Sequence, residues 1–186
     1  MSDLPDIATL MHDCLPRLRR YARALVADKM LADDLVQDTL ERAWQKRQQW
    51  QPEREMRAWL FSIMHNLHVS QLRQGSLALV ELEDGDTGAT SSMLTTRATQ
   101  TDRLEVRDLH TALQRLPREQ RAVLLLVSLE QMGYQDIASV LDIPLGTVMS
   151  RLSRGRERLR MLMEDGIAAQ TAAPAVTPLP TLKVVK

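Results

Sequence analysis

Two stretches of helical rhythm run along the chain, separated and followed by stretches without it. In the first, residues 7–75, apolar positions return every three or four residues: Leu15, Leu18, Tyr21, Ala22 and Leu25, then Leu31, Leu35, Leu40 and Trp44, then Trp59, Ile63 and Leu67. This spacing lays an apolar stripe along one side of a helix, and it predicts three main helices preceded by a short initial one. Pro52 falls between the second and third. Proline lacks an amide donor and pushes its predecessor out of helical geometry, so residues 51–56 read as a loop. Residues 76–102 turn to Gly, Ser, Thr and acids, among them Glu81, Glu83, Asp84 and Asp86, with no sustained period, and read as a linker. Helical rhythm resumes over 103–165, interrupted at Pro117, at 131–133 and at 142–146, which leaves room for four helices. The segment 166–186 is rich in Ala, Thr and Pro and is expected to be disordered in isolation.

The expected fold is therefore all-α: two small helical domains, 1–75 and 103–165, joined by a flexible linker. Composition supports it, since only 3% of the 186 residues are aromatic while residues that lose little on entering a helix recur throughout. The formal net charge is zero, which excludes a protein that holds nucleic acid by overall attraction and shifts attention to local patches. The single cysteine, Cys14, excludes an intramolecular disulfide and a multi-cysteine zinc site, and it reads as a small buried hydrophobe. No apolar run reaches the roughly 18 residues of a membrane span, and the first residues carry Asp3 and Asp6 rather than a basic segment before an apolar one. A cytoplasmic protein without membrane insertion is expected.

The densest local pattern lies at 134–160. Ile137, Leu141, Ile143, Val148 and Leu152 are spaced to form the seam between two short crossing helices, and Ala138 is small where they would approach. Asp142 stands at the turn, where a side chain tolerant of left-handed backbone is needed, and Thr147 could cap the second helix. That helix is expected to run from Val148 to about Met161, carrying Arg151, Arg154, Arg156, Arg158 and Arg160 against Glu157. Met149, Ser150, Ser153 and Arg154 fall opposite the seam, where a recognition helix presents side chains to the major groove. The flanking arginines suit phosphates. A helix-turn-helix that binds DNA follows.

Upstream, Asp33, Asp34, Gln37, Asp38 and Glu41 make an acidic stripe along one helix, suited to a basic partner rather than to DNA. His65 and His68, three apart, could share a metal, but no carboxylate or thiol adjoins them, so no metal and no cofactor are expected. No phosphate loop, Ser-His-Asp arrangement or nucleotide fingerprint appears, and neither an enzyme nor a small-molecule substrate is expected.

The run Ile143-Pro144-Leu145-Gly146-Thr147-Val148 followed by Ser150-Arg151-Leu152, Arg154 and Arg156 resembles the last region of extracytoplasmic-function sigma factors. Leu116-Pro117-Arg118-Glu119-Gln120-Arg121 resembles the opening of that family's fourth region. Ala32-Asp33-Asp34-Leu35-Val36-Gln37-Asp38-Thr39 with Arg42-Ala43-Trp44 resembles its core-polymerase-binding helix, and Arg57-Ala58-Trp59-Leu60-Phe61-Ser62-Ile63 with Asn66 resembles its promoter-melting region. The resemblance covers about residues 10–165. It implies a subunit that joins core RNA polymerase through Asp33, Asp34, Gln37, Asp38 and Glu41. It implies contact with a minus-10 element through Arg54, Arg57, Asn66 and Arg73, where a flipped-out base would need amide donors and acceptors. It implies contact with a minus-35 element through Thr147, Met149, Ser150, Arg151, Ser153, Arg154 and Arg156, and an anti-sigma factor as a further partner. Trp59 reads as a core residue. Two positions depart from the family pattern: Met149 stands where a basic residue is common, and Ser70 where Asp is usual. A free-standing helix-turn-helix regulator binding as a dimer, and a polymerase-binding adaptor without DNA contact, remain as alternatives.

Overall fold

The computed structural model describes residues 6–52, 55–80 and 100–171, with side chains over 6–52, 55–74 and 106–164. Among these residues there are seven α-helices and no strand: α1 (Ile7–Leu25), α2 (Lys29–Gln45), α3 (Met56–Val80), α4 (Gln100–Gln114), α5 (Arg118–Ser128), α6 (Tyr134–Leu141) and α7 (Leu145–Thr171), with a 3-10 turn at Arg47–Gln49. No helix among them is long and apolar enough to cross a membrane.

The first half is a three-helix unit. Met11, Leu18, Tyr21, Ala22 and Leu25 are buried along α1. Met11 lies seven residues, two turns, before Leu18, so it continues the same face, and among the described residues no separate initial helix precedes the main one. The helix runs unbroken through Pro16, whose missing amide costs the ladder one bond. Asp28 caps α2 by accepting from the amides of Met30 (2.7 Å) and Leu31 (3.0 Å). Ala32, Leu35, Val36, Thr39 and Ala43 form the buried face of α2, and the Thr39 hydroxyl donates to the Leu35 carbonyl at 2.6 Å. Helix α3 begins after the loop at Pro52, as the pattern predicts, and closes the unit with Leu60, Phe61 and Met64. Phe61 meets Tyr21 edge to face, with centroids 5.0 Å apart, an arrangement favoured by the ring quadrupoles. Trp59 is partly covered and lies against this core, as does Cys14. Burial raises the Cys14 thiol pKa above its ordinary value, so the group is a protonated thiol at neutral pH.

The second half has the four helices its rhythm predicts. Ala122 to Leu126 are buried along α5, and Gly155 of α7 sits so close to it that an added Cβ would lie 3.4 Å from Gln120. Three expected boundaries move. The backbone of α3 continues past Gly75 to Val80, α4 begins at Gln100, and α7 continues to Thr171, since a single glycine or polar stretch costs a helix only about 1 kcal/mol. The expected linker otherwise lies outside the described residues over 81–99, and the expected tail over 172–186.

The two halves are packed together. Helix α3 lies against α6, and α1 against α4 and α5. The buried apolar side chains from Met11 to Leu152, Ala112 apart, form one continuous cluster.

Candidate nucleic-acid interface

Helices α6 and α7 build the helix-turn-helix. Ile137, Leu141, Val148 and Leu152 are buried, with Ile143 and Ala138 packed against them. Asp142 takes φ 52°, ψ 51°, the left-handed conformation its side chain tolerates, and this lets the Ile143 amide return to the Ala138 carbonyl at 3.0 Å. The recognition helix starts three residues earlier than its rhythm suggests. The Pro144 carbonyl accepts from Thr147 (2.9 Å) and Val148 (3.2 Å), so Thr147 lies inside the first turn and is not the cap. Proline, with no amide to satisfy and a fixed φ, suits such an entry.

On α7 the side chains of Met149, Ser153, Arg154 and Arg156 are exposed, while Thr147, Ser150 and Arg151 are partly covered. Tyr134, Met149, Leu152, Ser153, Arg156 and Glu157 line a groove of about 510 Å³. Arg160 pairs with Glu157 and Glu164, each at 2.7 Å. The two glutamates are thereby drawn to Arg160, and the exposed Arg154, Arg156 and Arg158 leave the N-terminal half of the helix surface basic.

The acidic stripe on α2 faces water. Asp34, Gln37, Asp38 and Glu41 are exposed, and Asp33, partly covered, pairs with Arg23 at 3.3 Å. Asp38 accepts from the Gln71 amide at 3.0 Å, which ties the stripe to α3. Sequence reasoning missed its apolar border. Met30 and Leu31 are exposed beside it, and Leu31 joins Val26, His68 and Leu72 in lining a groove of about 530 Å³ along Asp34 and Asp38. Trp44, also exposed, carries the Arg47 guanidinium 4.9 Å above its ring.

The residues implied for the minus-10 element are divided. Asn66 and Arg73 are exposed on α3. Arg54 lies outside the described residues. Arg57 is partly covered and occupied: it pairs with Glu55 at 3.0 Å and donates to the Glu130 carbonyl, in the second half, at 2.9 Å.

Glu130 is the residue that composition hid most completely. It follows α5, and Gln131 after it adopts φ 52°, reversing the chain and leaving Glu130 turned toward α1. Its carboxylate, 0% exposed, accepts from Arg20 at 2.8 Å, and Arg17 stands 3.8 Å away. Arg20 also donates to the Leu129 carbonyl at 2.8 Å. A second set of contacts finishes α1. The last carbonyls of a helix have no partner within it; here the Arg23, Ala24 and Leu25 carbonyls meet His110 (3.2 Å), Gln114 (3.0 Å) and Arg121 (2.9 Å). Arg121, itself buried, also donates to the Gln114 side-chain oxygen. Its positive charge suits the negative end of the helix.

His65 and His68 lie on α3 where it meets the second half. Burial lowers the His68 pKa to about 4, helped by His65, Arg121 and Arg118. Burial, then Arg151, lowers that of His65. Both rings are neutral at pH 7, and among the described residues no group of three or more His, Cys, Asp or Glu side chains gathers to hold a metal. With a folded pKa below the unfolded value of 6.5, His68 contributes stability that is fully present above pH 6.5 and is lost as the pH falls through about 4. The expected loss is on the order of 1 kcal/mol, because the ring is only partly withdrawn from water. Urea titrations at pH 7 and pH 4.5 check it: the His68→Gln chain should lose less stability between these pH values than the parent, and an equal loss would remove His68 as the cause.

Among the described residues, an all-α fold with an acidic helical surface on one half and a basic helix-turn-helix on the other has the build of a DNA-binding transcription factor. Residues 11–65 match the family described as the Sigma2 domain of PhyR, and residues 107–159 match Sigma-70, region 4. The chain is 38% identical over 149 residues to the ECF RNA polymerase sigma factor EcfG of Rhodopseudomonas palustris (strain TIE-1), covering 80% of each chain. It is 33% identical over 155 residues to the ECF RNA polymerase sigma factor SigL of Mycobacterium tuberculosis (strain H37Rv), covering 80% of this chain and 83% of the relative. The sigma factor RpoE, solved in complex with the anti-sigma factor NepR from Bartonella quintana, superposes with a TM-score of 0.77 at 31% identity, over 87% of this chain and 98% of that one. The chain belongs to the ECF RNA polymerase sigma factor family.

Proposed function

We propose that this sigma factor joins core RNA polymerase through the exposed face of α2 and carries the enzyme to promoters, without catalysing a reaction itself and in the cytoplasm. Asp33, Asp34, Gln37, Asp38 and Glu41 form the polymerase-binding surface. Asn66, Arg57 and Arg73, with Arg54 of the preceding loop, hold the opened minus-10 strand. Thr147, Met149, Ser150, Arg151, Ser153, Arg154 and Arg156 meet the minus-35 duplex. The observation that carries this reading is the recognition helix: its exposed Met149, Ser153, Arg154 and Arg156 stand opposite the buried seam of Val148 and Leu152, within the stretch that matches Sigma-70, region 4. Family membership sets aside the free-standing dimeric regulator.

The packed arrangement is a resting form in this reading. Arg57 is held by the second half, so one residue of the minus-10 set is engaged in the contact between the halves. It becomes available when the halves part on the polymerase. An anti-sigma factor would favour the closed form, as the likeness over both halves to a sigma factor solved with its anti-sigma factor suggests.

The test is reconstitution. The full chain added to core polymerase should co-elute with it on gel filtration and yield discrete transcripts whose start sites share two upstream elements; no association and no discrete transcript would overturn the reading. Reversing two charges of the stripe, Asp34→Lys with Asp38→Lys, should weaken core binding about tenfold or more. Both residues are exposed and only the bond from Gln71 to Asp38 is given up, so melting should fall little. Fluorescence titration of labelled core measures the first and calorimetry the second.

A further inference from the structure

Among the described residues, α7 exposes two large apolar side chains, Met149 (49% exposed) and Met161 (53% exposed); Met149 lies in the N-terminal half among arginines and serines, and Tyr134 at the start of α6 (39% exposed) lines the same groove. Met149 stands one residue past the buried Val148 and three before the buried Leu152, so its place on the outer flank is fixed by the seam. Ser153 and Arg156, four and seven residues on, share that flank and line the groove with it. Arg156 has no ion-pair partner among the described residues, in contrast to Arg160, which Glu157 and Glu164 occupy. The groove thus sets an apolar floor beside a free cation. A thioether in this position cannot donate a hydrogen bond to a base edge and is at best a weak acceptor. The apolar group that a duplex offers in the major groove is the 5-methyl of thymine, flanked by phosphates.

We propose that Met149, backed by Tyr134, reads the 5-methyl group of a thymine in the minus-35 duplex, while Arg156 holds an adjacent phosphate. This rests on the minus-35 role of α7 proposed above and specifies what the helix recognises. Specificity at this base pair then comes from apolar contact, and it is lost when the methyl group is absent even though every hydrogen-bonding edge of the pair is kept.

The experiment uses holoenzyme reconstituted from core polymerase and the full chain, with promoters selected from a library randomised over the upstream element. Deoxyuridine, which lacks only the methyl group, replaces each selected thymine in turn on either strand. At one position wild-type holoenzyme should lose about fourfold in promoter binding, the worth of one buried methyl-sized group, and be unmoved elsewhere. Met149→Ala holoenzyme should bind the thymine promoter about fourfold more weakly and be indifferent to deoxyuridine at that position. Because Met149 is exposed, this variant should melt as wild type does. Met149→Arg should shift the selected base there toward guanine, which arginine reads through O6 and N7. If no deoxyuridine substitution affects wild-type holoenzyme, or if Met149→Ala remains sensitive to it, the inference fails while promoter-dependent transcription stands. If the library yields no selected upstream element at all, the minus-35 role of α7 fails and the inference with it.

Discussion

Replacing Glu130 with alanine is expected to lower the stability of the closed chain by about 2 kcal/mol and to loosen the two halves from each other. The carboxylate is fully buried and takes a charge-assisted bond from Arg20, an interaction worth roughly 1.5–3 kcal/mol. Two effects oppose each other here. A buried charge carries a desolvation cost that its removal relieves, but the cavity left behind and the loss of the bond outweigh it, because Arg20 and Arg17 are about half exposed and regain water readily. Glu130→Gln keeps the shape and one acceptor, so it should lose about half as much. Urea denaturation measures the stability. Small-angle scattering measures the loosening, as a larger radius of gyration for the alanine chain at neutral pH. Unchanged stability in both variants would mean that the carboxylate is not what holds α1 to the second half.

Removing both Arg154 and Arg156 is expected to reduce promoter-dependent transcription about tenfold or more while leaving core binding intact. Both side chains are exposed on α7, and each phosphate neutralised by a cation adds about one to the steepness with which affinity falls with salt. The double alanine variant should therefore show a salt slope shallower by about two, measured as promoter binding by holoenzyme between low and moderate ionic strength. A loss of transcription with an unchanged slope would assign the arginines to base edges instead of phosphates. A transcript yield equal to wild type would remove α7 from promoter recognition.

What the sequence makes legible follows from the range of each interaction. The helix-turn-helix was readable because all its determinants are local: an apolar rhythm, one residue suited to left-handed backbone at Asp142, and arginines at fixed offsets. Its one local error, Thr147 as cap, arose because a good capping residue and the Pro144 entry compete for the same turn, and the helix takes the earlier start. The acidic stripe was readable as a surface for the same reason, since charges at helical spacing with no apolar residues among them have little alternative to solvent. Met30 and Leu31 break the other rule. Leu31 belongs to the helical rhythm of α2, yet both are exposed, because the buried face of the helix runs through Ala32, Leu35, Val36, Thr39 and Ala43 and leaves them to one side. Glu130 and Arg121 lay beyond reach altogether. Each is a charged residue that composition assigns to the surface, and each is buried by partners about a hundred residues away. Long-range pairing of this kind leaves no periodic trace. The packing of the two halves against each other was hidden for the same reason, whereas the helices within each half were not.

The three carbonyls at the end of α1 have a consequence for the order in which the molecule is made. Their partners His110, Gln114 and Arg121 lie 87, 90 and 96 residues further along the chain, and at ordinary translation rates of about 5–20 residues per second that gap is many seconds at the slow end. The first half leaves the ribosome able to assemble its three helices around Tyr21 and Phe61, but the last carbonyls of α1 have only water to bond until the second half emerges to meet them. Each newly made chain thus passes through a period in which Arg57 has no Glu130 to hold it, and it leaves that period only when its own later residues arrive.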